Sequence, residues 1–161
     1  MAPRSAQVEV FDLVVFGGTG DLARRKILPA LFKRYCAGQM PGESRLIGAA
    51  RSDMDRASYL DFVRAALKEA GVARGGPTLD GFLGRIDYVT LDATGSTGWK
   101  DLLDKMIPGR VRAFYFSVGP SLFGPLAERL QSFGMAGPDT RIVVEKPFGR
   151  DLASARALNA D

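Results

Sequence analysis

Residues 8–16, Val-Glu-Val-Phe-Asp-Leu-Val-Val-Phe, are almost continuously apolar and β-rich, and they end on Gly17-Gly18. Such a run belongs to a strand buried on both faces of a parallel sheet, because a sheet with one wet face alternates polar and apolar residues. The turn that follows reads Gly17-Gly18-Thr19-Gly20-Asp21-Leu22-Ala23. Gly18, Gly20 and Ala23 together give G-x-G-x-x-A in the setting that fingerprint requires, after a buried strand and opening a helix. One glycine permits the tight turn, and the next lets the backbone approach a pyrophosphate with no Cβ in the way. The small third residue lets helix and strand pack closely. Exposed N–H groups and the helix dipole then hold the phosphates. The pattern predicts nucleotide binding, and a purely structural turn is the plain alternative.

The rest of the chain repeats this alternation. Leu28, Leu31, Phe32 and Tyr35 recur at helical spacing, and Gly38 with Pro41-Gly42 ends that helix. Pro29 inside it removes one backbone bond, which predicts a kink, a break or the start of a new helical segment. A second strand covers Arg45–Ala50, and a second helix carries Tyr59, Phe62, Val63, Ala66, Leu67 and Ala70 on one face. Residues 71–81 are glycine-rich and read as a mobile loop. Further strands are expected at Arg85–Leu91, Val111–Val118 and Thr140–Val144. Helices are expected at Trp99–Met106, around Leu122–Phe133, and from Asp151 to Ala160. Five strands interleaved with helices and no hairpin signals imply an α/β fold: a Rossmann-type doubly wound parallel sheet with helices on both faces. The chain stops inside or just after its last expected helix, so the expectation is one domain, residues 1–161, cut from a longer protein.

Charge singles out the same end of the molecule. Residues 1–51 hold eight basic side chains against four acidic ones, while the remaining 110 residues carry 14 of each sign. An anionic ligand is therefore sought in the first third, against the bland alternative of a solvated basic face. Arg24, Arg25 and Lys26 occupy the first turns of a helix, where the dipole disfavours positive charge, so either an anion lies nearby or the side chains lean into solvent. The second strand ends Gly48-Ala49-Ala50-Arg51-Ser52. Domains specific for NAD place an Asp or Glu there to bind the ribose 2′-hydroxyl. An arginine instead suits a 2′-phosphate, which favours NADP, although Asp53 close by keeps NAD open.

Composition removes other classes. The 161 residues include no histidine, which excludes every Ser-His or Cys-His catalytic pair and the commonest general base and metal ligand. The single cysteine, Cys36, forms no internal disulfide and fits a reducing cytosol. Neither a membrane-spanning run nor a secretory signal is present in the chain. None of the four tyrosines is followed at the fourth position by lysine, so the acid pair of short-chain reductases is absent. No Gly-Lys-Ser or Gly-Lys-Thr marks a phosphate loop of the kinase type, and no nucleic-acid module is recognisable.

Four segments resemble one family. Val15–Ala23 with Arg24-Arg25-Lys26 resembles the amino-terminal signature of glucose-6-phosphate dehydrogenases, and Gly48-Ala49-Ala50-Arg51 the end of their second strand. Tyr115-Phe116-Ser117-Val118-Gly119-Pro120 is similar to the strand and turn beside the nicotinamide, and Val144-Glu145-Lys146-Pro147-Phe148-Gly149 to the substrate-side motif. The resemblance implies a cytoplasmic enzyme of glucose metabolism, in the oxidative pentose phosphate pathway. It oxidises glucose 6-phosphate at C1, passes the hydride to NADP and releases 6-phosphogluconolactone. By the same resemblance Gly17, Gly18, Thr19, Gly20, Asp21, Leu22, Ala23 and Arg24 hold the pyrophosphate, and Arg51 the 2′-phosphate. Asp92 and Ala93 line the cofactor cleft, Pro120 lies beside the nicotinamide, and Lys146 contacts both sugar and cofactor. On residues alone Lys146 reads equally as a surface lysine, and Pro147 resembles a proline the family keeps cis.

The family continues into a second domain that carries its catalytic histidine, most sugar-phosphate contacts and the surface of a homo-oligomer. The expectation for these 161 residues is thus NADP binding without turnover, with no catalytic residue in the chain and no nucleic-acid or membrane partner. A non-catalytic NADP-binding or regulatory module is the alternative.

Overall fold

Five strands, β1 (Phe11–Phe16), β2 (Arg45–Ala50), β3 (Ile86–Thr90), β4 (Val111–Phe116) and β5 (Thr140–Val144), hydrogen-bond into one sheet in the order β3-β2-β1-β4-β5. Every pairing is parallel, with Val15 opposite Gly48 on one side and Tyr115 on the other. The computed structural model describes residues 10–40, 43–72, 76–106, 111–137 and 140–144. Between the strands lie α1 (Leu28–Cys36), α2 (Arg56–Glu69), α3 (Pro77–Leu83), α4 (Trp99–Lys105) and α5 (Phe123–Ser132). This is the expected doubly wound α/β architecture with helices on both faces. The expected helix at 151–160 lies outside the described residues.

The continuous apolar run of β1 has a simple cause. Successive side chains point to opposite faces, and both faces are covered. Leu13 and Val15 pack with Leu28, Phe32, Tyr59, Val63 and Phe82 from α1, α2 and α3. Val14 and Phe16 pack with Trp99, Leu102, Phe123, Leu126 and Leu130 from α4 and α5. Burying each of these side chains is worth roughly 1.5–3 kcal/mol. Coverage is uneven, however: Val111, Ala113, Tyr115, Arg141 and Val143 line an open depression of about 440 Å³ beside α1 on the first face.

One local expectation changes and one open choice is decided. The glycine-rich stretch 71–81, read as a loop, gives way to α3 at Pro77. Gly76 precedes the helix with φ 82°, Pro77 takes its first turn where no N–H is needed, and Phe82 and Leu83 supply a buried face. Of the courses open to Pro29, the structure takes the start of a new helical segment: residues Ala23–Ile27 form a π-helical turn that runs directly into α1, with Pro29 in its first turn. Widening the turn before a proline accommodates the carbonyl that its ring would otherwise strike.

Candidate functional site

The chain reverses its order in the sheet between β1 and β4, and ligands of open parallel sheets bind at that switch point, beyond the carboxyl ends of the strands. The glycine turn stands there. Gly17 and Gly18 both donate their N–H to the Ala49 carbonyl, at 2.8 and 3.2 Å, and so fasten the turn to the end of β2. Gly20 N–H closes back on Gly17 O at 2.9 Å. The tight turn falls one residue earlier than the fingerprint reading places it. Gly17, with φ 82°, makes the tight turn, and a Cβ there would drive into the Ser117 carbonyl oxygen. Gly18 allows the close approach to β2, since its Cβ would lie 3.0 Å from both Gly48 Cα and the Tyr59 hydroxyl. Ala23 is buried, as the small third residue of the fingerprint requires. The Thr19 N–H has no backbone partner among the described residues, which leaves a donor at the place where a phosphate would lie.

A buried phenol supports this turn from below. Tyr59 Oη on α2 donates to the Gly18 carbonyl at 2.9 Å. Burial pushes that phenol far above its ordinary range, so it remains a donor throughout the working pH range.

The basic residues are more committed than the sequence suggests. Arg24 donates to Asp21 at 2.6 Å and also to Glu69 of α2, and Arg25 reaches the same Asp21 carboxylate at 3.2 Å. The hydrogen bonds to Asp21 and then Glu69 hold the Arg24 guanidinium more firmly charged than usual. Asp21 therefore answers the dipole argument for Arg24 and Arg25 from within the protein. Leu22 is half-buried against the α1–α3 core.

Arg51 differs. It is exposed at the end of β2, within electrostatic reach of the Asp92 carboxylate but in no direct ion pair among the described residues. Together with Phe16, Gly17, Thr19, Ala93 and Val118 it lines a cleft of about 250 Å³ at the strand ends. Ser52, which follows it, also lines this cleft, and its hydroxyl lies 3.3 Å from that of Thr19. The structure thus brings Arg51, Ala93 and the glycine turn together. Pro120 opens a 3-10 turn, Pro120–Leu122, just past β4, and Leu122 closes the same cleft. Asp92 behaves otherwise. Its carboxylate accepts from the Thr94 N–H and hydroxyl, both at 3.1 Å, and these bonds hold it below the usual carboxylate range. Its carbonyl accepts from Trp99 Nε1 at 2.9 Å, so Asp92 shapes the passage from β3 to α4. Lys146 and Pro147 lie outside the described residues.

Larger hollows exist, including one of about 400 Å³ between β3 and α4. Neither it nor the depression over β4–β5 lies at the switch point, so position rather than volume selects the site. Among the residues sequence reasoning passed over, Ser117 Oγ is buried without a hydrogen-bond partner among the described residues, beside Gly17. The supporting roles of Tyr59, Tyr88 and Ser52 were likewise not legible, because nothing local marks them. A turn N–H without a backbone partner and an exposed guanidinium at one cleft fit a phosphate-rich, polar ligand.

A doubly wound parallel sheet with a glycine turn at its switch point defines a dinucleotide-binding domain. Residues 14–161 match the family "Glucose-6-phosphate dehydrogenase, NAD binding domain", and the chain belongs to that family. It is 44% identical over 159 residues to glucose-6-phosphate 1-dehydrogenase of Gluconobacter oxydans, covering 95% of this chain and 32% of that protein. Against the enzyme of the same name from Rhizobium meliloti it is 45% identical over 165 residues, covering 99% and 33%. The crystal structure of glucose-6-phosphate 1-dehydrogenase from Mycobacterium avium superimposes with a TM-score of 0.80 at 36% identity, covering 94% of this chain and 33% of that one. A glucose-6-phosphate dehydrogenase in complex with its substrate glucose-6-phosphate gives a TM-score of 0.76 at 29% identity, covering 99% and 34%. The chain spans about a third of the length of the curated relatives it matches. Among the described residues no helix is long and apolar enough to cross a membrane.

Proposed function

We propose that this chain is the coenzyme-binding part of a cytoplasmic dehydrogenase that oxidises glucose 6-phosphate, and that it takes NADP in preference to NAD. The observation that carries the preference is the exposed Arg51 guanidinium on the wall of the strand-end cleft, held in no direct ion pair among the described residues. A planar guanidinium matches a 2′-phosphate, whereas the ribose hydroxyl of NAD needs an acceptor there. The turn Gly17–Gly20 would receive the pyrophosphate through the Thr19 N–H and the helix end, its glycines leaving room for the approach, with Ala93 and Pro120 bounding the rest of the cofactor. NADP, when bound, supplies the hydride acceptor. The chain's own residues bind and orient it, with Val118 and Leu122 giving the cleft an apolar wall. General-base chemistry and most sugar contacts are assigned to the remainder of the full-length relatives, since this chain has no histidine.

Calorimetric titration of the chain with NADP and, separately, NAD tests this reading. Tighter binding of NADP, with the preference lost in Arg51→Ala, is expected. At about 1.5–3 kcal/mol for a charged hydrogen bond, the loss is roughly ten- to hundredfold in affinity for NADP. Equal binding of the two dinucleotides by the unaltered chain would refute it.

A further inference from the structure

We propose that Tyr88 is a positioning residue for the 2′-phosphate site: its hydroxyl clamps the two carbonyls that flank Arg51 and so sets the preference between NADP and NAD. The proposal rests on the assignment of Arg51 to the 2′-phosphate, and adds to it a residue on another strand that never meets the ligand.

The geometry is specific. Tyr88 Oη on β3 donates to the Ser52 carbonyl at 2.6 Å and lies 3.1 Å from the Ala50 carbonyl. One proton serves both, with the shorter bond to Ser52. Ala50 O already takes the Leu91 N–H at 2.7 Å, the last ladder bond between β2 and β3. Ser52 O accepts a second hydroxyl, Thr90 Oγ1, at 3.2 Å. The backbone therefore leaves the sheet at Ala50, bends over a phenol, and is fastened again at Ser52, with Arg51 at the apex.

Packing alone does not require that hydroxyl. The Tyr88 ring is buried and lies 4.8 Å from the Tyr59 ring, a contact phenylalanine would keep. Tyr59 in turn bonds the Gly18 carbonyl, and Thr19 meets Ser52, so the loop and the glycine turn share one support. Burial also keeps the Tyr88 phenol protonated, and thus a donor. An arginine on an untethered loop must be ordered when the phosphate arrives, and that entropy is subtracted from affinity for the phosphate alone.

The test is calorimetry of the unaltered chain, Tyr88→Phe, Arg51→Ala and the double variant, each with NADP and NAD, alongside circular dichroism melts. Tyr88→Phe is expected to weaken NADP about two- to tenfold, the range of one neutral hydrogen bond, with NAD unchanged. In the Arg51→Ala background the same substitution is expected to change nothing further. Thr90→Val, which leaves the aromatic pair intact, shifts the ratio in the same direction by less, and stands in if Tyr88→Phe does not fold. An unchanged NADP-to-NAD ratio in the folded variants overturns the proposal, as does an equal loss for both dinucleotides. An unaltered chain that shows no preference overturns the cofactor assignment, and this inference with it.

Discussion

Two loops meet at the mouth of the sheet, and they are built by opposite means. The turn after β1 is made by its own backbone: Gly17 and Gly18 bond Ala49, Gly20 bonds Gly17, and a left-handed φ at Gly17 fits beneath Ser117. The loop after β2 is made by side chains from elsewhere, with Tyr88 and Thr90 on Ser52, and Asp55 capping α2 at its far end. A turn built from backbone geometry fails all at once when a side chain is added. One built from hydroxyl tethers loosens by steps.

Gly17→Ala should therefore have the largest effect. Left-handed backbone strain and the collision with the Ser117 carbonyl together cost about 3 kcal/mol or more. Gly20→Ala, whose Cβ would come 3.2 Å from Gly17 O, is the matched control. It should cost under about 1 kcal/mol. Urea unfolding of both variants checks this, and equal midpoints would mean that the turn is not held by the conformation at Gly17.

A smaller effect is expected from Tyr59→Phe, which probes the place where the glycine turn does borrow a side chain. Removing the hydroxyl leaves the Gly18 carbonyl buried without that donor, a loss of about 1–3 kcal/mol. The glycines themselves are untouched, so folded protein should keep its NADP-to-NAD ratio while its urea midpoint falls. A changed ratio at an unchanged midpoint would assign Tyr59 to the same tether as Tyr88 and erase the contrast between the loops.

The same contrast explains what was legible beforehand. Strand β1 and its glycine turn announce themselves because an apolar run and a fixed glycine spacing are local properties, and β2 and β5 were bounded to the residue for the same reason. Arg51 was legible through its place at a strand end. Its support was not, because Tyr88 becomes a neighbour of Ser52 only when β3 pairs with β2. Asp92 reads in the sequence as a carboxylate near the cleft, and its bonds to the Thr94 N–H and hydroxyl emerge only with the turn that follows β3. Likewise the glycines of 71–81 concealed α3, whose evidence was Pro77 followed by a buried Phe82-Leu83 pair. Arg24 and Arg25 looked like unanswered charge because Glu69 is distant in sequence and Asp21 was read only as part of the turn.

The least effect is expected at the far anchor of the β2–α2 loop, and there pH supplies the probe. Asp55 accepts the Ser58 N–H at 2.8 Å, and that bond holds its carboxyl below the ordinary value of 3.8. A lowered folded value means that the ionised cap stabilises the fold above the unfolded value, and that this contribution disappears as pH falls through the folded one. Asp55→Asn keeps an acceptor for the cap but cannot titrate. Between about pH 4.5 and pH 2.5 the melting midpoint of the unaltered chain should fall more steeply than that of Asp55→Asn, the two converging at the acid end. Because the cap lies beyond the tether on Ser52, the NADP-to-NAD ratio at neutral pH should be the same in both. Parallel melting curves would remove Asp55 as an anchor. An altered ratio would show that the loop is ordered from its helix end, with Tyr88 following rather than setting the position of Arg51.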